Sequence, residues 1–132
     1  MLEENKIVDQ AQQVMGNLSQ KGHMVTTSQI RKFLTAVNTV TEKVNAYKLE
    51  KTDDYDTLPV ELQAQIKYLK VKLAYQIERN RSKWGNPVED FEKEARLMSL
   101  IDGIKSSTKE YEKFAHYIEA LVAFHKFYGG KD

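Results

Sequence analysis

In residues 67–83 the stretch KYLKVKLAYQIERNRSK interleaves rings with cations, and Tyr68, Lys72, Tyr75 and Arg79 fall at i, i+4, i+7 and i+11. On an α-helix that spacing makes one stripe. Leu62, Ile66, Leu69, Leu73 and Ile77 form an adjacent apolar stripe, so such a helix can bury one face and offer a flank of rings and positive charge. Cations suit phosphates, and flat amphipathic rings suit sugars or bases; together they are the means of binding a polyanion. The alternative reading is structural: the tyrosines pack at a bundle edge and the cations are solvated, as on many basic amphipathic helices.

Other chemistry finds little support. The chain has no cysteine, which excludes disulfides, thiolate catalysis and Cys-based zinc sites and fits a reducing compartment. His23 falls in a loop, while His116 and His125 lie nine residues apart on one helix, on opposite sides rather than one turn apart as a metal pair would be. Glu112 and Glu119 flank His116, but no Glu-x-x-His pattern completes a di-metal carboxylate site, so His116 reads as a hydrogen-bonded surface histidine. Asp53, Asp54 and Asp56 resemble the start of a calcium loop without its central glycine and distal glutamate, and read as a solvated linker. There is no glycine-rich phosphate loop and no nucleophile elbow; a triad assembled in space stays open. The expectation is a non-catalytic binding subunit with no metal and no cofactor.

Composition sets the frame for that expectation. The 132 residues suit one domain, and 41% hydrophobic with 30% charged residues reads as globular and soluble. The formal net charge is only +1, so distribution matters more than the total. Residues 60–84 carry six cations against two acids, and residues 85–132 carry seven against nine. A basic segment beside a slightly acidic one suits a subunit that meets an anion on one side and protein on another. The acidic start lacks a signal-peptide core, and no run approaches the roughly 20 apolar residues of a membrane span. A cytoplasmic protein without a membrane role is expected.

The elements that must position these residues read as an all-α, compact five-helix bundle forming a single domain over residues 1–132. The N-terminal helix lies within residues 1–25, with Ile7, Ala11, Val14 and Leu18 inward and a stop at Lys21-Gly22. The second spans 26–50: Thr26 and Gln29 have capping-box spacing, Val25 and Ile30 have staple spacing, and Ile30, Phe33, Leu34, Val37, Val40 and Val44 follow at helical period. After an acidic linker at 51–58, Pro59 opens the basic helix, expected over 59–84 with its end near Trp84-Gly85. Asn86, Pro87 and Glu89 start a helix over 86–106 with Phe91, Ala95, Met98 and Ile101 inward. Ser107 and Glu110 form another capping box for a last helix over 107–129 that closes on Gly129-Gly130. Apolar residues from Tyr111 to Tyr128 surround most of that helix, so it is buried by its own bundle or by another chain.

Three stretches in order carry a family resemblance: Thr26-Thr-Ser-Gln-Ile-Arg-Lys-Phe33, Tyr68-Leu-Lys-Val-Lys-Leu-Ala-Tyr-Gln-Ile-Glu-Arg79, and Glu119-Ala-Leu-Val-Ala-Phe-His-Lys-Phe-Tyr-Gly-Gly-Lys-Asp132. Over roughly residues 25–132 the chain resembles the small helical subunit of the type III-A CRISPR effector, the Csm complex. The resemblance implies a structural, RNA-contacting subunit that stacks with other copies as a minor filament. That filament runs beside the backbone and large subunits, along the duplex of guide RNA and target RNA. Catalysis is then left to other subunits. Carried over by position, Arg31, Lys70, Arg79 and Lys126 are the expected phosphate contacts. Lys32, Lys67, Lys72, Arg81 and Lys83 join them on the local charge argument alone. Tyr68, Tyr75, Phe124, Phe127 and Tyr128 are the expected stacking or interface residues. Base pairing would read sequence, leaving backbone and shape to the protein.

Two other classes fit the residues: a helical protein-protein adaptor with no nucleic-acid role, and a small helical enzyme using His116 or His125.

Overall fold

The apolar period in the sequence is the period of the fold. In the computed structural model, which describes residues 2–22, 24–50 and 55–131, a short 3-10 turn at Glu4–Lys6 precedes six α-helices. These are α1 (Ile7–Ser19), α2 (Thr27–Glu50), α3 (Val60–Arg79), α4 (Pro87–Ala95), α5 (Leu97–Ile104) and α6 (Thr108–Phe127). Among the described residues there is no strand, only isolated bridges of Thr57 with Ser107 and Ser82 with Gly85. No described helix is long and apolar enough to cross a membrane. His23 and residues 51–54, with Asp53 and Asp54 of the calcium-like triplet, lie outside the described residues.

α6 is the centre of the bundle, packed by α1, α2 and α5, while α3 packs on α2 and α5 and α4 packs on α1. Its Tyr111, Phe114, Tyr117, Ile118 and Leu121 are buried, so the helix that reads as apolar on most sides spends most of its rings inside its own core. Tyr111 places its hydroxyl against Val37 O at 3.0 Å and Thr41 Oγ1 at 2.7 Å. Tyr117 donates to Ala95 O at 3.1 Å. Burial pushes both phenols up from 10.0 to about 12, with the Thr41 hydrogen bond opposing the shift at Tyr111 and Arg96 opposing it at Tyr117.

The expected starts are built as their residues dictate. Thr26 N donates to Gln29 Oε1 at 2.8 Å while Gln29 N donates to Thr26 Oγ1 at 3.1 Å, a complete capping box. Glu89 N donates to Asn86 Oδ1 and Glu110 N to Ser107 Oγ, each at 3.1 Å. Past the end of α1, Gly22 takes φ +74, the left-handed turn a C-terminal glycine allows.

Two expectations need correction. The helix expected over 86–106 is two helices, which makes the bundle six-helical rather than five. Arg96 breaks it with φ 58 and ψ 42, a left-handed conformation costing a non-glycine residue about 1–2 kcal/mol. In an unbroken helix Leu97 would sit about 200° around from the buried Ala95; the break instead lets Leu97, Ile101 and Ile104 all enter the core. Tyr117 accepts the burden of the exposed end by donating to the Ala95 carbonyl, and Glu92 Oε2 accepts from Met98 N at 3.3 Å at the new start. The second correction is the end of α3, which comes at Arg79 and not near Trp84. There Asn86 Nδ2 donates to Ile77 O at 2.7 Å, taking the carbonyl that a further turn would have used, while Asn80 Nδ2 adds a bond to Gln76 O at 2.7 Å. Arg81, Lys83 and Trp84 therefore lie in a turn rather than on the helix.

Candidate nucleic-acid interface

α3 buries Leu62, Ile66, Leu69, Leu73 and Ile77, the five positions its sequence marks, and this fixes which flank looks outward. On that flank Lys72, Tyr75, Gln76 and Arg79 meet Lys32 and Phe33 of α2 around an open groove of about 390 Å3. A second depression of about 410 Å3 follows directly along α2, lined by Thr27, Ser28, Arg31, Lys32 and Thr35. Lys32 borders both. Two helical stripes at i, i+3, i+4, i+7 thus line adjoining depressions, 28/31/32/35 on α2 and 72/75/76/79 on α3, and Lys32 joins them.

A network of amides sets their spacing. Gln76 Nε2 donates to Gln29 O at 2.5 Å, and Gln29 Nε2 donates to Asn80 Oδ1 at 2.7 Å. The same Gln29 closes the α2 capping box, so the first turn of α2 and the last turn of α3 are locked by one side chain. The box spacing of Gln29 is legible in the sequence; its partnership with Gln76 and Asn80 is not, because those residues lie far along the chain.

The electrostatics distinguish the expected cations from one another. No carboxylate among the described residues pairs with Arg31, Lys32, Lys72 or Arg79, and all four are exposed. Tyr75 beside them is 73% exposed, and Tyr68, two turns earlier on the same stripe, is also exposed. Lys70 points elsewhere, to Asp102 of α5 at 2.7 Å. Arg81 pairs with Glu78 at 2.9 Å, and Lys83 sits over the Trp84 ring at 5.2 Å. Lys67 is exposed on α3 outside the groove lining, and Lys126 is exposed in the last turn of α6. Of nine expected cations the structure gathers four.

The expected ring residues separate in the same way. Phe124, Phe127 and Tyr128 form their own cluster at the end of α6, with edge-on packing of Phe127 against Phe124 at 6.3 Å and against Tyr128 at 5.2 Å. Phe127 is 72% exposed, whereas Tyr128 is half-buried and its ring end lies against Gly16 of α1. Trp84, which the sequence marks only as a helix-end landmark, is a further exposed ring.

Neither His116 nor His125 lines these depressions. His125 is 1% exposed, and its Nε2 donates to Val25 O at 2.6 Å, a packing role that leaves it no route to a substrate. His116 is exposed on α6, beside Glu112, whose carboxylate is held by Lys48 at 2.6 Å. That ion pair raises the Lys48 pKa, chiefly through the hydrogen bond to Glu112. No group of three or more His, Asp or Glu residues among the described ones converges as a metal site would.

A sequence model described as Csm2 Type III-A matches residues 2–131. The chain belongs to the Csm2 type III-A family. Its relatives include three proteins described as "CRISPR system Cms protein Csm2". That of Streptococcus thermophilus is 32% identical, with 100% of this chain and 98% of the relative aligned. Those of Enterococcus italicus and Mycobacterium tuberculosis strain H37Rv are 31% and 29% identical, covering 93% and 95% of this chain and 84% and 93% of the relatives. As a Csm2 family member the chain is a small structural subunit of the type III-A CRISPR-Cas Csm complex, and the match includes the N-terminal helix that the sequence resemblance left aside.

Proposed function

We propose that this Csm2-family chain contacts the guide RNA–target RNA duplex through the α2–α3 face, stacking with other copies of itself as a non-catalytic minor filament in the cytoplasm. The observation that carries this reading is the convergence of Arg31, Lys32, Lys72 and Arg79 on adjoining depressions with no carboxylate partner among the described residues. Unpaired cations on two locked helices present fixed positive points to a phosphate backbone, and exposed Tyr75 and Tyr68 supply flat surface for sugars or splayed bases. In this reading the guide supplies sequence by base pairing, and the protein follows backbone and shape. Lys67 and Lys126 are outlying contacts in this reading. Lys70 and Arg81 contribute less, because Asp102 and Glu78 compete for them.

The test is the salt dependence of duplex binding by the assembled complex. Lys32→Ala with Arg79→Ala should weaken binding about equally for unrelated guide–target pairs and flatten the slope of log affinity against log salt by roughly 0.7 to 0.9 per lost contact. Lys70→Ala should flatten it less. A loss confined to one sequence would point to base readout, and no change at all would leave the chain as a protein-only adaptor. The Phe124, Phe127 and Tyr128 cluster is the surface we assign to a neighbouring copy or a backbone subunit, since an exposed ring cluster at a helix end is suited to burial by protein.

A further inference from the structure

The chain after α6 folds back over a buried histidine and reaches the start of α2. Gly129 takes φ +84, and Gly129 N and Gly130 N donate to Lys126 O and His125 O at 3.0 and 2.9 Å, closing α6 with a left-handed glycine turn. Gly130 then lies directly on the His125 ring. A Cβ there would stand 2.0 Å from Cε1 and 2.3 Å from Nδ1 of His125, so only glycine fits without displacement. His125 cannot easily give way, because it is buried and its Nε2 donates to Val25 O. One residue further, the carbonyl of Lys131 accepts from Thr27 N at 2.8 Å. Thr27 is the first residue of α2 and lines the same depression as Arg31 and Lys32. Lys131 is exposed, and no carboxylate among the described residues pairs with it.

We infer that Lys131 is a further phosphate-contacting residue of the α2–α3 face, and that Gly130 and His125 are the positioning residues that hold it there. The inference rests on the RNA-contacting reading above. The chain pays for this placement with a glycine that admits no side chain, a stronger constraint than helix termination needs, since Gly129 already supplies the left-handed turn.

Lys131→Ala in the assembled complex, with unrelated guide–target duplexes as the probe, should flatten the salt slope by roughly 0.7 to 0.9. Lys131→Arg should restore it. Gly130→Ala, with helicity checked by circular dichroism, should flatten the slope to the same extent, and combining it with Lys131→Ala should add nothing, because both remove one contact. If Lys131→Ala leaves the slope unchanged while Lys32→Ala with Arg79→Ala flattens it, Lys131 is not a contact and the groove reading stands without it. Should neither variant change the slope, the groove reading fails and takes this inference with it. If Lys131→Ala acts but a folded Gly130→Ala does not, or the two effects add, the positioning role is wrong.

Discussion

Two regions of this molecule look alike in sequence and differ in the fold: the α3 flank with Tyr68 and Tyr75, and α6 with its run of rings from Tyr111 to Tyr128. On α6 the tyrosine hydroxyls meet backbone carbonyls inside the bundle, Tyr111 at Val37 and Tyr117 at Ala95. On α3 the rings stay in solvent among cations. The difference lies in the neighbours on the same helix. α3 has one continuous apolar stripe that leaves its rings on the outer flank, whereas α6 has apolar residues around most of its surface and is surrounded by partners. Aromatic content therefore does not identify a binding face; its angular distance from the buried stripe does.

The comparison breaks most directly at folding stability. Phe114→Ala removes a ring that is 1% exposed at the centre of the core and should cost about 3–5 kcal/mol, read as a drop in the denaturant midpoint. Tyr75→Ala removes a ring of similar size from the α3 flank and should change stability by no more than about 0.5 kcal/mol. A large loss from Tyr75→Ala would mean that the flank is part of the core after all and is not a free surface for RNA.

The buried hydroxyls sharpen the contrast through pH. Tyr111 and Tyr117 are raised from 10.0 to about 12 by burial, so between those values the unfolded chain releases phenolic protons that the folded chain retains. Their contribution is complete below about pH 10 and is lost as the pH rises through about 12, by up to about 2–3 kcal/mol per ring. Thermal melts followed by circular dichroism should show this alkaline decline. Tyr117→Phe, which keeps the ring and removes the titrating group, should reduce it even if its stability at neutral pH is lower.

Much of this arrangement is written locally. The inward positions of α3 and the α2 capping box follow from spacing within one or two turns, and both stand in the structure as the residues dictate. Arg96 is different: no glycine, asparagine or proline marks the break there, and what forces it is the core's demand for Leu97, Ile101 and Ile104 together. The early stop of α3 has a local signal in Asn80, but the second carbonyl is taken by Asn86, after a turn that spacing alone does not specify. The cations show the same limit. Their types are legible, yet Lys70 is drawn to Asp102 across helices while Lys32 is brought to the same groove as Lys72 and Arg79 by tertiary packing, with Arg31 in the adjoining depression. Local charge counting cannot separate those outcomes, because the carboxylate that neutralises one lysine and the helix that gathers the others are both distant in sequence.

The smallest folding effect tests the end of α6, where the two regions are closest in character. Phe127 is a ring of the apolar helix, yet it is as exposed as Tyr75 on the basic one. Its ring contacts, with Phe124 and Tyr128, are edge-on and the side chain is mostly exposed, so Phe127→Glu should leave the folding free energy within about 0.5 kcal/mol of the parent. A charge at that position would nevertheless have to be desolvated if a neighbouring copy or a backbone subunit covers the ring, and a buried unpaired carboxylate is strongly unfavourable. Occupancy of the variant in purified complexes should therefore fall while circular dichroism and the unfolding midpoint stay unchanged. Full occupancy of a folded Phe127→Glu subunit would confine the ring cluster to closing α6 against α1, and the surface that holds copies together would have to be sought elsewhere on the bundle.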